Sequence, residues 1–250
     1  MTGVNFLAKY EPQTPGELIW PSDKAKAAIL DYLPSPGDGF GKLHPLLLYG
    51  NYGGGKSTIM KRLPYWIDPS FQVPNRKWLV ADARKNISEM VHIIKRFTEF
   101  EPYGGGMKAL LIDEADNLDS KIQQGLKGQI TEIVGQNTDV LIVLATNHID
   151  QVDGGIVSRC VTVDMSQRDP ERYLPKMREI LTAENVGVMT DRALLTIAEA
   201  AGSDIRELYR MMEQLVDARR ALQGPPNPPP VAGPPRSRGS GLTLLKQPVT

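Results

Sequence analysis

Residues 50 to 57 have the types and spacing of a phosphate-binding loop. They read Gly-Asn-Tyr-Gly-Gly-Gly-Lys-Ser and follow directly after an apolar run. The glycines let the backbone turn so that successive N–H groups point at an anion, and the N-terminus of the following helix adds partial positive charge. We expect Lys56 to reach the β- and γ-phosphates of ATP and the Ser57 hydroxyl to bind Mg²⁺. The predicted nucleotide-binding residues are Gly50, Gly53, Gly54, Gly55, Lys56, Ser57 and Thr58.

Acidic and amide residues follow two further apolar runs. Asp113 and Glu114 come after residues 109 to 112, and Asn147 comes shortly after residues 140 to 144. Ligands of open α/β sheets bind at the carboxyl ends of the strands. We therefore expect Asp113 to hold Mg²⁺ through its water shell and Glu114 to orient or deprotonate the water that attacks the γ-phosphate. Asn147 is predicted to hydrogen-bond that water or the γ-phosphate.

Alternating apolar runs and helical periodicity between about 42 and 165 predict the elements that position these residues. The pattern is typical of a parallel sheet with crossover helices, since strands buried on both faces are continuously apolar. Helices are predicted at 87–97 and 121–134. The candidate strands are 46–49, 78–81, 109–112, 140–144 and 161–163.

Strand patterns end at residue 169, and helical patterns replace them. Segments at about 170–183, 190–201 and 203–222 each have one apolar face, so they are predicted to pack together as a small bundle. Thr190 and Ser203 are predicted helix N-caps, and Gly202 is predicted to end the second helix. The predicted fold class is α/β. Its predicted parts are a nucleotide-binding domain at 1–168, a helical lid at 169–223 and a proline-rich tail at 224–250.

Composition limits the possible environments and partners. The 250 residues have a net charge of zero, so any contact with DNA must come from a local basic patch. Cys160 is the one cysteine, which excludes an internal disulfide. The sequence shows no leader pattern and no apolar run near the roughly 20 residues that cross a bilayer. We expect a cytoplasmic protein.

The order of these motifs resembles the AAA+ ATPases, and within them the small subunits of clamp loaders of the replication factor C type. Residues 113 to 116 read Asp-Glu-Ala-Asp, which is the acidic box of that family. Residues 9 to 14 resemble a box that packs against adenine, with Glu11 in place of the family's arginine. The resemblance therefore implies that Tyr10 contacts the base.

Two arginines match other motifs of this family. In clamp loaders, the tripeptide found here at 158 to 160 projects its arginine across a subunit interface, so the resemblance assigns Arg159 to a neighbour's active site. Residues 202 to 206 resemble the second sensor, in which Arg206 would touch the γ-phosphate. Clamp-loader subunits normally also have a helical collar domain, and the proline tail stands in its place here.

The resemblance implies an ATPase that acts as a homo- or hetero-oligomer on DNA in replication. One rival is a collar-less DNA-remodelling ATPase, such as a helicase loader or transposition regulator, and another is an assembly module without significant turnover. Lysines and arginines beside the acidic strand are predicted to contact DNA phosphates without reading sequence, although a solvated face explains them equally well. These residues are Arg84, Lys85, Lys95, Arg96, Lys121 and Lys127.

The end of the chain resembles a bacterial clamp-binding peptide. Seven prolines between 225 and 235 predict an extended linker, and leucines reappear after it. Leu242, Leu244 and Leu245 are the candidate contacts with a sliding clamp. A generic partner peptide or an inert tail is the alternative.

Overall fold

The apolar runs form a parallel sheet of five strands in the computed structural model, which describes residues 6–34, 43–81, 87–136, 139–166 and 169–223. The strand order is β2-β3-β4-β1-β5, and all described pairings are parallel. The predicted α/β fold is therefore confirmed. The strands are β1 (Leu46–Tyr49), β2 (Arg76–Val80), β3 (Lys108–Asp113), β4 (Val140–Thr146) and β5 (Val161–Asp164).

Helices cover both faces of this sheet because the apolar side chains of each central strand alternate in direction. Leu110 packs in one hydrophobic cluster together with Ile94 and Leu126, whereas Leu111 packs in a second cluster together with Ile59 and Leu63. The helices of this part are α1 (Phe6–Lys9), α2 (Asp23–Leu30), α3 (Lys56–Ile67), α4 (Ile87–Glu99), α5 (Ser120–Gln136) and α6 (Gly154–Val157).

The helical lid follows β5. A 3-10 turn occupies Pro170–Tyr173, and then come α7 (Leu174–Ala183), α8 (Asp191–Ala201) and α9 (Ile205–Gln223). The predicted segment 170–183 is therefore a turn followed by a helix. Within the parts of the chain that the structure describes, no helix is both long and apolar enough to cross a membrane.

Two of the three predicted helix-end residues lie at the ends of lid helices. The Thr190 side chain accepts a hydrogen bond from the Ala193 amide and so caps α8, and Gly202 follows the last residue of that helix. At the start of α9, it is the Asp204 side chain that accepts from the Arg206 amide, at 2.8 Å. This N-cap lies one residue after the predicted Ser203.

The first described residues of the chain pack against the lid. Phe6, Tyr10 and Ile19 belong to a third hydrophobic cluster, whose other members include Met177 and Leu208 of the lid helices. The sequence assigned residues 1–168 to the nucleotide-binding domain, so this packing crosses the predicted boundary. The division into three parts stays a prediction, and its last part, 224–250, lies outside the described residues.

Candidate nucleotide site

Two glycines of the phosphate loop are required by close contacts with other segments. Gly50 has φ +135°, and a Cβ atom there would lie 2.6 Å from the backbone nitrogen of Ser166. Gly53 has φ +68°, and a Cβ atom there would lie 1.8 Å from Asp204 Oδ1. A side chain at either position would therefore collide with the segment after β5 or with the lid.

Lys56 joins the loop to the end of β4. Its ammonium group donates hydrogen bonds of 2.8 Å to the carbonyl oxygens of Gly50 and Asn51 and to Oδ1 of Asn147. Lys56 is only 7% exposed. The lysine of the phosphate loop and the predicted sensor asparagine therefore face the same space, although 91 residues separate them in the chain.

Ser57 and Asp113 form an oxygen-rich pair between β3 and α3. The Ser57 hydroxyl donates to Asp113 Oδ2 at 2.9 Å. Magnesium in nucleotide enzymes is typically bound by one or two protein oxygens together with phosphate oxygens and water. The two side chains supply such a donor set, so the residues present fit the ion that the sequence predicts.

Glu114 has a strained backbone at the end of β3. Its φ of 55° and ψ of 44° lie in the left-handed region, which costs a non-glycine residue about 1–2 kcal/mol. Its amide donates to Asp113 Oδ1 at 3.0 Å, and its Oε2 accepts from Asn117 Nδ2 at 3.2 Å. The first hydrogen bond holds the Glu114 backbone at Asp113, and the second orients the Glu114 carboxylate.

Asp116 orients the end of β4, a role that the sequence analysis missed. Its Oδ1 accepts a hydrogen bond from the Thr146 hydroxyl at 2.8 Å and one from the Asn147 amide at 3.4 Å. Thr146 is fully buried, and its hydroxyl also accepts from the His148 amide. The signal was present as the fourth residue of the acidic box.

A cavity of about 500 Å³ connects these residues and is lined by both polar and apolar side chains. Phosphate-loop residues from Gly53 to Thr58 line it together with Asp113, Glu114 and Asn147. Apolar side chains also line the cavity, and these suit a flat aromatic base. These are Leu7, Ala8, Pro12, Leu18, Ile19 and Tyr209.

Tyr10 does not line this cavity, as judged from the described residues. Its ring lies in the lid cluster at 7% exposure, and its hydroxyl donates to Glu184 Oε1 at 2.5 Å. Burial, followed by the hydrogen bond to Glu184, raises the pKa of Tyr10. The predicted contact of Tyr10 with the base is therefore not seen, and its neighbours Glu11 and Pro12 line the cavity instead.

The two predicted arginines lie in different places. Arg206, at the start of α9, lines the cavity, and the Ile205 amide beside it donates to the carbonyl of Gly53 at 3.1 Å. Arg159 is absent from the described cavity wall. Its guanidinium donates to Thr131 Oγ1 at 2.9 Å and to the Gly155 carbonyl at 2.6 Å.

Fold and cavity define a nucleotide-binding α/β protein with a phosphate loop and a helical lid. The model of the AAA family, ATPases associated with various cellular activities, matches residues 46–166. Thermotoga maritima RuvB, a Holliday junction branch migration motor, has a similar fold, with a TM-score of 0.68, 17% identity and coverage of 88% of this chain and 68% of RuvB. Domain III of Thermotoga maritima DnaA has a TM-score of 0.59 at 19% identity, and the match covers 89% of this chain and 93% of that domain.

The match to the AAA family model covers just under half of the chain, and the curated relatives described next are subunits of replication factor C. Small subunit 2 of Pyrobaculum islandicum is 30% identical over 215 residues, which cover 85% of this chain and 64% of that relative. Small subunit 2 of Pyrobaculum aerophilum is 29% identical over 224 residues, which cover 89% of this chain and 67% of that relative. The predicted resemblance to this group is confirmed. The chain spans less than two thirds of the length of the first of these relatives.

Proposed function

We propose that this protein binds and hydrolyses ATP and acts as an oligomeric clamp loader on DNA in replication. The observation that carries the proposal is the meeting of Lys56, the Ser57–Asp113 pair and Asn147 in one cavity that apolar side chains also line. Such a cavity can take the phosphates and the base of one nucleotide at once. The similarity to replication factor C supports the role in replication.

Each polar group has a proposed task in the reaction. Lys56 and the loop amides bind the phosphates, and Ser57 and Asp113 hold Mg²⁺, which when bound neutralises charge on the phosphate oxygens. Glu114 accepts a proton from the attacking water while the water oxygen bonds to the γ-phosphorus and ADP leaves. Asn147, which Asp116 holds in place, orients the water or the γ-phosphate.

The two arginines link hydrolysis to assembly. Arg206 is proposed to touch the γ-phosphate of its own cavity and thereby to make lid position depend on the nucleotide. Arg159 is proposed to enter the cavity of a neighbouring subunit and to stabilise charge on the transferring phosphate. Its position away from its own cavity supports action between subunits.

Basic side chains on α4 and α5 provide the proposed contacts with DNA. Lys95, Arg96, Lys121 and Lys127 are proposed to bind DNA phosphates. Lys95 and Lys127 have acidic neighbours at 3.8 Å and 3.7 Å, so DNA must compete with those carboxylates. Arg84, Lys85 and the clamp-contacting leucines 242, 244 and 245 lie outside the described residues. A cytoplasmic location is proposed with this function.

Hydrolysis in the presence of the proposed partners tests the function. Phosphate release would be measured for the purified chain alone, with primed DNA, and with primed DNA and a sliding clamp. We expect DNA and clamp together to raise the rate, and the Lys56→Ala variant to show no activity in any condition. Binding of ATP without hydrolysis under all three conditions would contradict the enzymatic role. Hydrolysis that neither partner changes would contradict clamp loading.

A further inference from the structure

Glu11 connects part of the cavity to the helix that follows the phosphate loop. We call this part, the apolar lining residues together with Glu11, the base-side wall. Glu11 lines the cavity next to Pro12. Its Oε1 accepts a hydrogen bond from Lys61 Nζ at 2.8 Å, and its Oε2 accepts from Arg62 Nη2 at 2.7 Å. Both cations belong to α3, the helix that begins at Lys56. The carboxylate therefore has both oxygens held by consecutive residues of one helix.

These ion pairs are partly shielded from water. The side chain of Glu11 is 27% exposed, and those of Lys61 and Arg62 are 46% and 19% exposed. The hydrogen bond from Lys61 is the largest of the effects that lower the pKa of Glu11. A single exposed ion pair contributes little to the free energy of folding. Here two donors from α3 bind one carboxylate, so the position of Glu11 relative to α3 is defined more closely than a single ion pair would define it.

The residues just before Glu11 are held by the lid. Lys9 donates to Glu184 Oε1 at 2.7 Å, and the Tyr10 hydroxyl donates to the same oxygen. The Glu184 side chain is only 3% exposed and also pairs with Arg220 of α9. Two consecutive residues are thus attached to different parts of the protein: Tyr10 to the lid, and Glu11, which lines the cavity, to α3.

We propose that Glu11 is a positioning residue for the nucleotide, which holds the base-side wall at a set distance from the phosphate loop through Lys61 and Arg62. The inference rests on the proposed function, because it requires a nucleotide in the cavity. Removal of the carboxylate charge leaves the wall attached to α3 only further along, where the Gln13 carbonyl accepts from Trp66 Nε1 at 2.7 Å, while the lid still holds Tyr10. The base then loses part of its preformed site, and the phosphate contacts of Lys56 and Ser57 stay intact.

Calorimetric titration of the full chain with Mg-ADP tests this role. We expect Glu11→Gln to bind about three- to tenfold more weakly than the wild type, the range that two partly exposed ion pairs allow. Asp23→Asn is the matched control, because Asp23 forms a two-pronged pair with Arg172 outside the cavity wall. In hydrolysis assays, Glu11→Gln should raise KM by a similar factor and leave kcat near the wild-type value.

Salt dependence and a double variant distinguish positioning by charge from a general loss of structure. The difference between wild type and Glu11→Gln should shrink in high salt, because salt screens partly exposed pairs. Lys61→Gln should weaken the binding of Mg-ADP. Adding Glu11→Gln to this variant should reduce the affinity by a smaller factor than Glu11→Gln does in the wild type. Affinity within twofold of wild type, or an equal loss in Asp23→Asn, would overturn the inference. If the inference is overturned but Lys56→Ala still abolishes nucleotide binding, the proposed function stands. If the wild type binds no nucleotide, the inference and the proposed function both fail.

Discussion

The Ser57 hydroxyl donates a hydrogen bond to Asp113 Oδ2 at 2.9 Å and so joins the phosphate loop to the acidic box. The two residues lie 56 positions apart in the chain and come from the start of α3 and the end of β3. Parallel strands bring their carboxyl ends to one edge of the sheet, which is why the two motifs meet. The pair is the proposed protein part of a magnesium site.

Asp113→Asn should lower the affinity for Mg-ATP and leave the affinity for metal-free ATP nearly unchanged. The amide keeps the size of Asp113 and one of its two acceptor oxygens but removes the negative charge that favours the ion. Titration with ATP in magnesium and in EDTA measures both affinities. An equal loss in both solutions would show that Asp113 acts on the loop and not through the ion.

Glu114→Gln should lose about 100-fold or more in turnover and keep its affinity for ATP. The change removes the proposed proton acceptor and leaves Lys56 and the loop intact, and general-base catalysis typically contributes at least this factor. Steady-state phosphate release and ATP titration measure the two effects. Unchanged turnover would exclude Glu114 as the base.

Arg159→Ala and Lys56→Ala should each be inactive alone and recover part of the activity when mixed. If Arg159 acts in a neighbour's cavity, some mixed interfaces combine an intact Lys56 with an intact Arg159. Hydrolysis would be measured over a range of mixing ratios, with co-assembly verified by light scattering. Co-assembled mixtures that stay inactive at every ratio would contradict action between subunits.

Glu184→Gln should destabilise the protein by about 1–3 kcal/mol at neutral pH, since it weakens a buried cluster of hydrogen bonds. Burial opposes ionisation of Glu184, but hydrogen bonds from Lys9 and Tyr10 outweigh it and hold its pKa below the usual value of 4.5. The stabilisation is therefore complete above pH 4.5 and decreases as pH falls through the lower folded-state pKa. Urea unfolding between pH 3 and pH 7 should show that the free energy of unfolding falls less at acid pH in the variant than in the wild type. The same pH dependence in both proteins would contradict this role of Glu184.

Truncation after Gln223 should leave folding and ATP binding unchanged and weaken recruitment to a partner. The predicted proline linker of about 17 residues would hold a peptide up to roughly 50 Å away and raise its effective concentration without adding core contacts. Thermal melting checks the fold, and titration of a synthetic 239–250 peptide against a sliding clamp checks the partner. No binding at millimolar peptide would exclude clamp docking.

Local motifs and element types could be predicted from the sequence because each is encoded by neighbouring residues. The phosphate loop needs glycines, a lysine and a hydroxyl in one short stretch, and buried parallel strands need continuous apolar runs. The five strands of the sheet were therefore predicted to within two residues at each end. The resemblance to clamp-loader subunits followed from the order of such motifs.

Contacts between distant segments were decided only by the tertiary structure. Tyr10 turns into the lid because its hydroxyl meets Glu184, 174 residues away, and Glu11 finds its cations on α3, about 50 residues away. Gly53 has φ +68°, which favours glycine, and a Cβ atom there would collide with the Asp204 carboxylate that caps α9. Pairings of this kind depend on which faces the packed sheet and helices bring together, and no short stretch of residues encodes that arrangement.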